Sequence, residues 1–307
     1  MSTSPEFNGA LIIDKPAGIT SHDVVYRLRK ILKTKKIGHT GTLDPFATGV
    51  LVMLVGKATR LARFINKDRK SYEALVQFGF ETDTGDREGG RKTGKTESGV
   101  PPTKELIETV RAVLPDFSGE IEQVPPMYSA KKVEGKKLYE LAREGVEIER
   151  KPISVSIYEL GISGERVEDG QLRLHVSCSA GTYIRTLAED IGKAVGIPCH
   201  LSELRRTRSG VFDISASVTI EELEQLAVRG SVKLSFVSMS DLLGHLPLQE
   251  TDDEDENRVA HGMMIDTAIE LKTGQAIRLI NKDGELLAVG KIDPSGMIQP
   301  KVVLISG

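Results

Sequence analysis

Hydrophobic and polar positions along this chain change period several times, and each change predicts an element. Residues 10–14, apolar up to Asp14 and followed by Lys15-Pro-Ala-Gly18, predict a strand ended by a turn. Thr20 or Ser21 then offers a side-chain oxygen to the free amides of a helical first turn. Val24, Val25, Leu28, Ile31 and Leu32 recur at helical spacing and leave Arg27, Lys30 and Lys33 facing outward. A glycine-rich segment, 38–49, separates this helix from an unbroken apolar strand at 50–55. Residues 72–80 predict another strand and 104–114 a helix; between them lies a loop, 81–102, whose five glycines and few apolar residues predict mobility. Leu172, Leu174, Val176 and Cys178 alternate as a half-buried strand does. Ile184, Leu187, Ala188, Ile191 and Val195 return to helical spacing, and Gly196 can end that helix.

Near Leu246 the pattern changes again. Pro247 and the acidic run Asp252-Asp-Glu-Asp-Glu256 read as a connection. Beyond it, residues 276–280, 286–289 and 301–305 predict short strands, separated by Asn281-Lys-Asp-Gly284 and Asp293-Pro-Ser-Gly296 turns. The reading is a main domain, 1–245, followed by a small β-rich domain, 246–307. Within the first, residues 124–150 open on Pro125-Pro126 and mix apolar with basic positions, as an inserted arm would. A chain of 307 residues is long enough to bury two cores.

No apolar run is long enough to span a bilayer, and the first residues lack the basic start and apolar stretch of a secretory signal. With two cysteines, Cys178 and Cys199, no disulfide framework is indicated, and a reducing cytoplasm is expected. The net charge of −3 does not mark a nucleic-acid binder, but the distribution is uneven. Residues 27–36 hold six basic side chains and no acidic one, Lys35 and Lys36 among them. Lys131, Lys132, Lys136 and Lys137 form a second basic cluster, and Arg205, Arg206 and Arg208 a third. Solvated surface would explain any one of them; the segregation of acid into 252–256 favours a polyanionic partner.

Several chemistries fail on spacing. Gly49 and Gly56-Lys57 imitate a phosphate loop, but six residues separate the glycines and Ala58 stands where a magnesium-binding hydroxyl is required. Zinc-dependent base deamination needs His-x-Glu and Pro-Cys-x-x-Cys; here Ser202 follows Pro198-Cys199 at the decisive position and no His-x-Glu occurs. No metal site is expected. What remains is Asp44, set before Pro45 and bracketed by Gly38, Gly41 and Gly49. Proline restrains the backbone of Asp44, and the glycines permit tight turns and close approach of a ligand. Residue chemistry alone leaves Asp44 open between a turn-holding side chain and a catalytic carboxylate.

The segment Gly38-His-Thr-Gly-Thr-Leu-Asp-Pro-Phe-Ala-Thr-Gly-Val-Leu51 resembles the active-site motif of the TruB family, the bacterial transfer-RNA pseudouridine-55 synthases. Asp14-Lys-Pro-Ala-Gly-Ile-Thr-Ser21, Lys70-Ser-Tyr72, Thr82-Asp-Thr-Gly-Asp86, Gln123-Val-Pro-Pro-Met-Tyr-Ser-Ala-Lys131, Cys178-Ser-Ala-Gly-Thr-Tyr-Ile-Arg185 and Leu204-Arg-Arg206 are similar to other family motifs, in the same order. The resemblance covers about the first 245 residues, and residues 246–307 resemble a PUA RNA-binding domain in pattern. It implies an α+β pseudouridine synthase fold, with a central mixed, mainly antiparallel sheet flanked by helices and the PUA-like domain appended.

The resemblance further implies roles. Asp44 matches the catalytic aspartate, Tyr72 the tyrosine that stacks on uracil, and Arg185 the arginine paired with the aspartate. His39 matches a histidine that contacts RNA where the target base leaves its stack, and Leu204 lines the uracil pocket. Lys15 and Thr42 are expected beside the substrate, and Lys35, Lys36, Lys131, Arg205 and Arg206 on RNA. The expected activity is isomerisation of uridine 55 in the transfer-RNA T loop by base flipping, glycosidic cleavage and rejoining through C5, without a cofactor. The protein is expected to act as a monomer without an obligate protein partner. It stays open whether Asp44 attacks the base, attacks ribose C1′, or works through a glycal, and whether Tyr72 is the final base. A guide-RNA-dependent synthase and a non-catalytic transfer-RNA chaperone share many of these residues. The arm 124–150 argues against the first, and the joint presence of Asp44, Tyr72 and Arg185 against the second.

Overall fold

The computed structural model describes residues 7–65, 69–92, 100–101, 103–129, 131–133, 135–164 and 170–305. Its strands are β1 (Gly9–Lys15), β2 (Ile37–Thr40), β3 (Thr48–Val55), β4 (Lys70–Phe78), β5 (Gly119–Gln123), the short pair β6 (Lys132–Val133) and β7 (Lys136–Lys137), β8 (Ile153–Ile162), β9 (Gln171–Cys178), β10 (Cys199–Ser209), β11 (Phe212–Asp213) and β12 (Phe236–Val237). A second group follows: β13 (Leu248–Glu250), β14 (Ala276–Ile280), β15 (Leu286–Ile292) and β16 (Ile298–Val303). The helices are α1 (Ser21–Leu32), α2 (Thr103–Val113), α3 (Leu138–Arg143), α4 (Ile184–Val195), α5 (Ile220–Val228) and α6 (Asp253–Ala260).

The first sheet runs β12-β1-β3-β10-β4-β9-β8-β5, with β2 also on β3 and β11 on β10. Its pairings are antiparallel except β3 with β10, where Arg206 stands opposite Gly49. That parallel junction is tight: a side chain at Gly49, whose φ is +100°, would collide with the Arg206 backbone, so only glycine fits. The second sheet runs β13-β14-β15-β16. The mixed, mainly antiparallel α+β architecture expected from the sequence is present.

The unbroken apolar run in β3 has a structural cause. Leu51, Met53 and Val55 face a core shared with Leu11, Ile13 and the inner stripes of α1, α4 and α5. Val50, Val52 and Leu54 face the opposite way, onto Ala10, Ile12, Leu242, Leu243 and, from the second sheet, Leu286, Val289, Val302 and Leu304. A strand covered on both faces has no polar face to alternate with. In β4 only one face is buried, through Tyr72, Ala74, Val76 and Phe78, and the alternation survives.

Local differences from the sequence reading have physical reasons. Thr20, not Ser21, caps α1, in a reciprocal capping box with Asp23. The acidic run forms the start of α6 rather than a bare connection: Asp252 caps it, and Asp253, Glu254, Asp255 and Glu256 fill the first turn. Negative charge there complements the helix N-terminus. The short strand β13 was not expected from the sequence, being only three residues long and paired in parallel with β14. The expected mobile loop is tied down over residues 81–92, where Asp83 donates to Gly90 and Lys92 to Glu81 across a turn; residues 93–99 and 102 lie outside the described residues. The expected arm, 124–150, contains the β6–β7 hairpin and α3.

Leu243 is fully buried between the two sheets. Leu243→Ala is expected to lower stability by about 2–5 kcal/mol in urea unfolding, from lost burial and the cavity left behind. Leu234→Ala, at a position 86% exposed, is expected to change it by less than about 0.5 kcal/mol.

Candidate active site

Asp44 sits in the loop between β2 and β3, and three side chains from other parts of the sequence clamp that loop. Ser21, at the start of α1, accepts from the Leu43 amide at 2.9 Å and faces the Leu43 carbonyl at 3.1 Å. Lys15, at the end of β1, lies beneath it and donates to the carbonyls of Pro16, Ile19 and Pro45 at 2.8, 2.7 and 3.1 Å. Arg206, on β10, donates to the Val50 and Gly41 carbonyls at 2.7 and 3.0 Å and approaches the Thr42 carbonyl at 3.5 Å. Within the loop the Asp44 carbonyl accepts from Ala47, and Phe46 is buried. The Asp44 backbone is thereby fixed while 34% of its side chain remains exposed.

Arg185, in the first turn of α4, meets the carboxylate. Its Nε lies 3.1 Å from Asp44 Oδ2. The other guanidinium nitrogens donate to the Thr84 carbonyl at 2.8 Å and the Tyr128 carbonyl at 2.6 Å, and Asp86 Oδ2 lies 3.4 Å away. Asp86 is itself held, accepting from the Thr84 hydroxyl and the Glu88 amide. A rigid fork with every edge engaged has one orientation, and it aims Nε at Asp44. Glu189, one turn on, forms no ion pair with Arg185 among the described residues.

Tyr72, on β4, stands opposite Arg206 in the sheet register and on the same buried face as Leu204's neighbour Ala74. Asp44, Tyr72, Arg185, Leu204, Thr42 and Lys131 line one cavity of about 270 Å³. A larger groove of about 740 Å³ shares Asp44, Thr42 and Arg185 with it and extends past His39 to His22 at the start of α1. Asp44 therefore stands where a narrow pocket meets a wide groove.

Two expectations fail. Lys15 was expected beside the substrate and Arg206 on RNA, but both are fully buried, with their donors spent on backbone carbonyls. They hold the loop from inside and line neither of the two cavities. Arg205 is part-exposed and pairs with Asp14 at 2.7 Å. Lys35 and Lys36 are exposed on the turn between α1 and β2, outside both cavities. The residue roles of Asp86, Thr84 and Tyr128 were missed. Thr84 and Asp86 lie in a motif whose order was noted, but carbonyl contacts leave no trace in residue type.

The electrostatics follow from burial. Desolvation raises the Asp44 carboxyl above its ordinary value, Arg185 and Lys15 pull it back, and Asp86 adds to the rise. Burial lowers Lys15 to about 8, against the upward pull of Asp44 and Glu88. Burial raises the Tyr72 phenol, while the nearby Arg206 charge opposes it. His39 is lowered by burial and then by Arg206, so its ring is neutral at physiological pH. The signs give a paired expectation for the Asp44 titration, followed by carboxyl ¹³C NMR and assigned with Asp44→Asn. Lys15→Met, which removes a cation, moves the titration further up; Asp86→Asn, which removes an anion, moves it down.

Comparison with known proteins bears on this geometry. Residues 29–184 match the family described as TruB family pseudouridylate synthase (N terminal domain). Residues 185–243 match the tRNA pseudouridylate synthase B C-terminal domain. The tRNA pseudouridine synthase B of Bacillus velezensis is 42% identical, over 97% of this chain and 98% of that protein. That of Bacillus cereus is 41% identical, over 97% of each. Among solved structures, a Cbf5-Nop10-Gar1 complex aligns with a TM-score of 0.71 at 28% identity, covering 97% of this chain and 85% of the matched one. An H/ACA RNP bound to a substrate RNA containing 2′-deoxyuridine aligns at 0.70 and 26%, with 97% and 85% covered. Asp44, Tyr72 and Arg185 thus meet on a pseudouridine synthase fold, and the chain belongs to the TruB family of pseudouridylate synthases.

Proposed function

We propose that this protein converts uridine 55 in the T loop of transfer RNA to pseudouridine. The observation that carries the reading is the shared cavity: a part-exposed carboxylate, fixed by a guanidinium, opens into a pocket walled by Tyr72 and Leu204. A stacked base cannot reach such a pocket, so the nucleotide is extruded, at a cost of a few kcal/mol that contacts in the groove offset. Tyr72 then presents its ring to the uracil; stacking of this kind is worth about 1–3 kcal/mol.

The chemistry balances within the substrate. The bond from ribose C1′ to N1 breaks, the uracil turns, and C5 bonds to C1′; the proton leaves C5 and N1 gains one. No atom or electron is added, so the isomerisation calls for no cofactor. Asp44 acts in its ionised form, and Arg185 supports that form against the desolvation that opposes it. In this reading His39, beside both the groove and Thr40, fills the space the extruded nucleotide leaves, and Lys131, at the cavity wall, meets phosphate. Lys35 and Lys36 add exposed positive charge near α1, where RNA backbone is attracted.

We further take residues 1–245 as the catalytic unit and 246–307 as a PUA-like RNA-binding unit, acting in a monomer without a protein partner. The near-complete alignment with relatives named for transfer RNA, at higher identity than the Cbf5-Nop10-Gar1 and H/ACA RNP assemblies, supports an enzyme that acts on transfer RNA by itself. The same surface remodels the T loop when a base is flipped, so a chaperone role would accompany catalysis rather than replace it.

The test is an isolated T stem-loop, with no guide RNA and no added protein. The unmodified protein is expected to form pseudouridine in it. Asp44→Asn is expected to lose roughly 10³-fold or more in single-turnover rate while its RNA dissociation constant stays within about threefold, about 0.7 kcal/mol. Normal turnover by Asp44→Asn would remove Asp44 from the chemistry, and product only in the presence of a guide would favour the guide-dependent class.

A further inference from the structure

Thr42, Leu43, Asp44, Ser129 and Arg185 line both the narrow pocket and the wide groove, and so form the neck between them. With the uracil in the pocket, between Tyr72 and Leu204, and the RNA backbone in the groove, the ribose that joins them lies at this neck. Most of the neck is already engaged or solvated. Leu43 is apolar and buried, Thr42 is exposed, and Asp44 is the reacting carboxylate. Arg185 donates to the Thr84 and Tyr128 carbonyls and meets Asp44.

Ser129 is the exception. It is 5% exposed, and its Oγ is closed to solvent without a hydrogen-bond partner. The Tyr183 phenol is close enough to feel it, yet no hydrogen bond joins the two. A buried hydroxyl with no partner is unfavourable, and native proteins leave few of them. The backbone that carries it is fixed. The Ser129 amide donates to the Met127 carbonyl at 2.9 Å, and the preceding carbonyl, of Tyr128, accepts from Arg185 at 2.6 Å. The guanidinium that orients Asp44 therefore also sets the segment bearing this hydroxyl.

We propose that Ser129 binds the 2′-hydroxyl of the extruded uridine and gives the site a preference for ribose over deoxyribose. The inference rests on the extrusion of uridine into the pocket proposed above. A serine hydroxyl both donates and accepts, so it pairs with another neutral hydroxyl in either direction. A phosphate in the same place calls for a cation, and the cation of the neck, Arg185, is already engaged. Rotation about one bond, χ1, turns Oγ from its closed position toward a ligand in the neck. The 2′-hydroxyl is the group by which a protein tells RNA from DNA at a given site. Holding it also steadies the adjacent C1′, whose bond to the base is broken and remade beside Asp44.

The test is the affinity of two T stem-loops, one all-ribose and one with 2′-deoxyuridine at the target position. Both are measured on Asp44→Asn, so that no turnover intervenes. The all-ribose RNA is expected to bind about fivefold tighter, as one hydrogen bond between neutral groups gives. Adding Ser129→Ala is expected to bring that preference below about twofold. A change of sugar pucker in the deoxy RNA is common to both proteins and cancels between them. Urea unfolding without RNA is an independent reading. Ser129→Ala removes a hydroxyl bonded to nothing in the free protein, and is expected to be no less stable than the unmodified protein. A ribose preference that survives Ser129→Ala, or that is absent with Ser129 in place, overturns the proposal. So does a loss of stability or a failure to fold in Ser129→Ala, which would give the hydroxyl a structural partner. Failure of the unmodified protein to form pseudouridine in the all-ribose stem-loop would instead strike the functional reading, while the ribose preference, which needs no turnover, still judges Ser129.

Discussion

The contact between Arg185 Nε and Asp44 Oδ2, 3.1 Å long, sets the terms for the rest of the site. A carboxylate at the mouth of a pocket loses water, and that loss favours its neutral form. The guanidinium opposes this but does not win: burial remains the larger effect, and the carboxyl stays above its ordinary value. Asp44 is therefore a charge held in place under tension between desolvation and two cations, Arg185 foremost. Such a group gains from any partner that accepts its negative charge, which is the condition for a nucleophile. The orientation of the cation then matters as much as its presence. The Thr84 and Tyr128 carbonyls and Asp86 occupy the remaining donors of Arg185, so the guanidinium cannot swing away from Asp44.

The fold supplies these partners from distant parts of the chain. Lys15 comes from the first strand, Ser21 from the first helix, Asp86 from the loop after β4, Arg185 from α4 and Arg206 from β10. They converge because β1, β3, β10 and β4 are consecutive neighbours in one sheet and the Asp44 loop crosses their ends. Burial of β3 on both faces makes this sheet rigid where the loop leaves it, and the second sheet completes that burial. Removing apolar contact between the sheets would thus be felt at the loop as well as in stability.

Much of this was legible in the sequence. Periodicity located α1, α4, β9 and the C-terminal strands because each buries one stripe or one face. The order of motifs located Asp44, Tyr72, Arg185 and Leu204, which the structure brings to one cavity. Lys15 and Arg206 were misread for one reason: basic residues are normally exposed, and the sequence does not reveal that a carbonyl waits for each donor inside the protein. Arg205 and Arg206 are adjacent and alike in type, yet alternation along β10 leaves one part-exposed and sends the other into the core. The acidic run at 252–256 was read as a connection because its charge masks the helix it begins; only the cap at Asp252 and the dipole explain it.

The central claim is that one fixed carboxylate performs a positional, cofactor-free isomerisation of RNA. Mapping pseudouridine at nucleotide resolution, in unmodified transfer RNA treated with the purified protein alone, tests it most directly. The account predicts a single new pseudouridine, at position 55, in stoichiometric yield. Conversion at another position, or none in transfer RNA that the protein demonstrably binds, would contradict it.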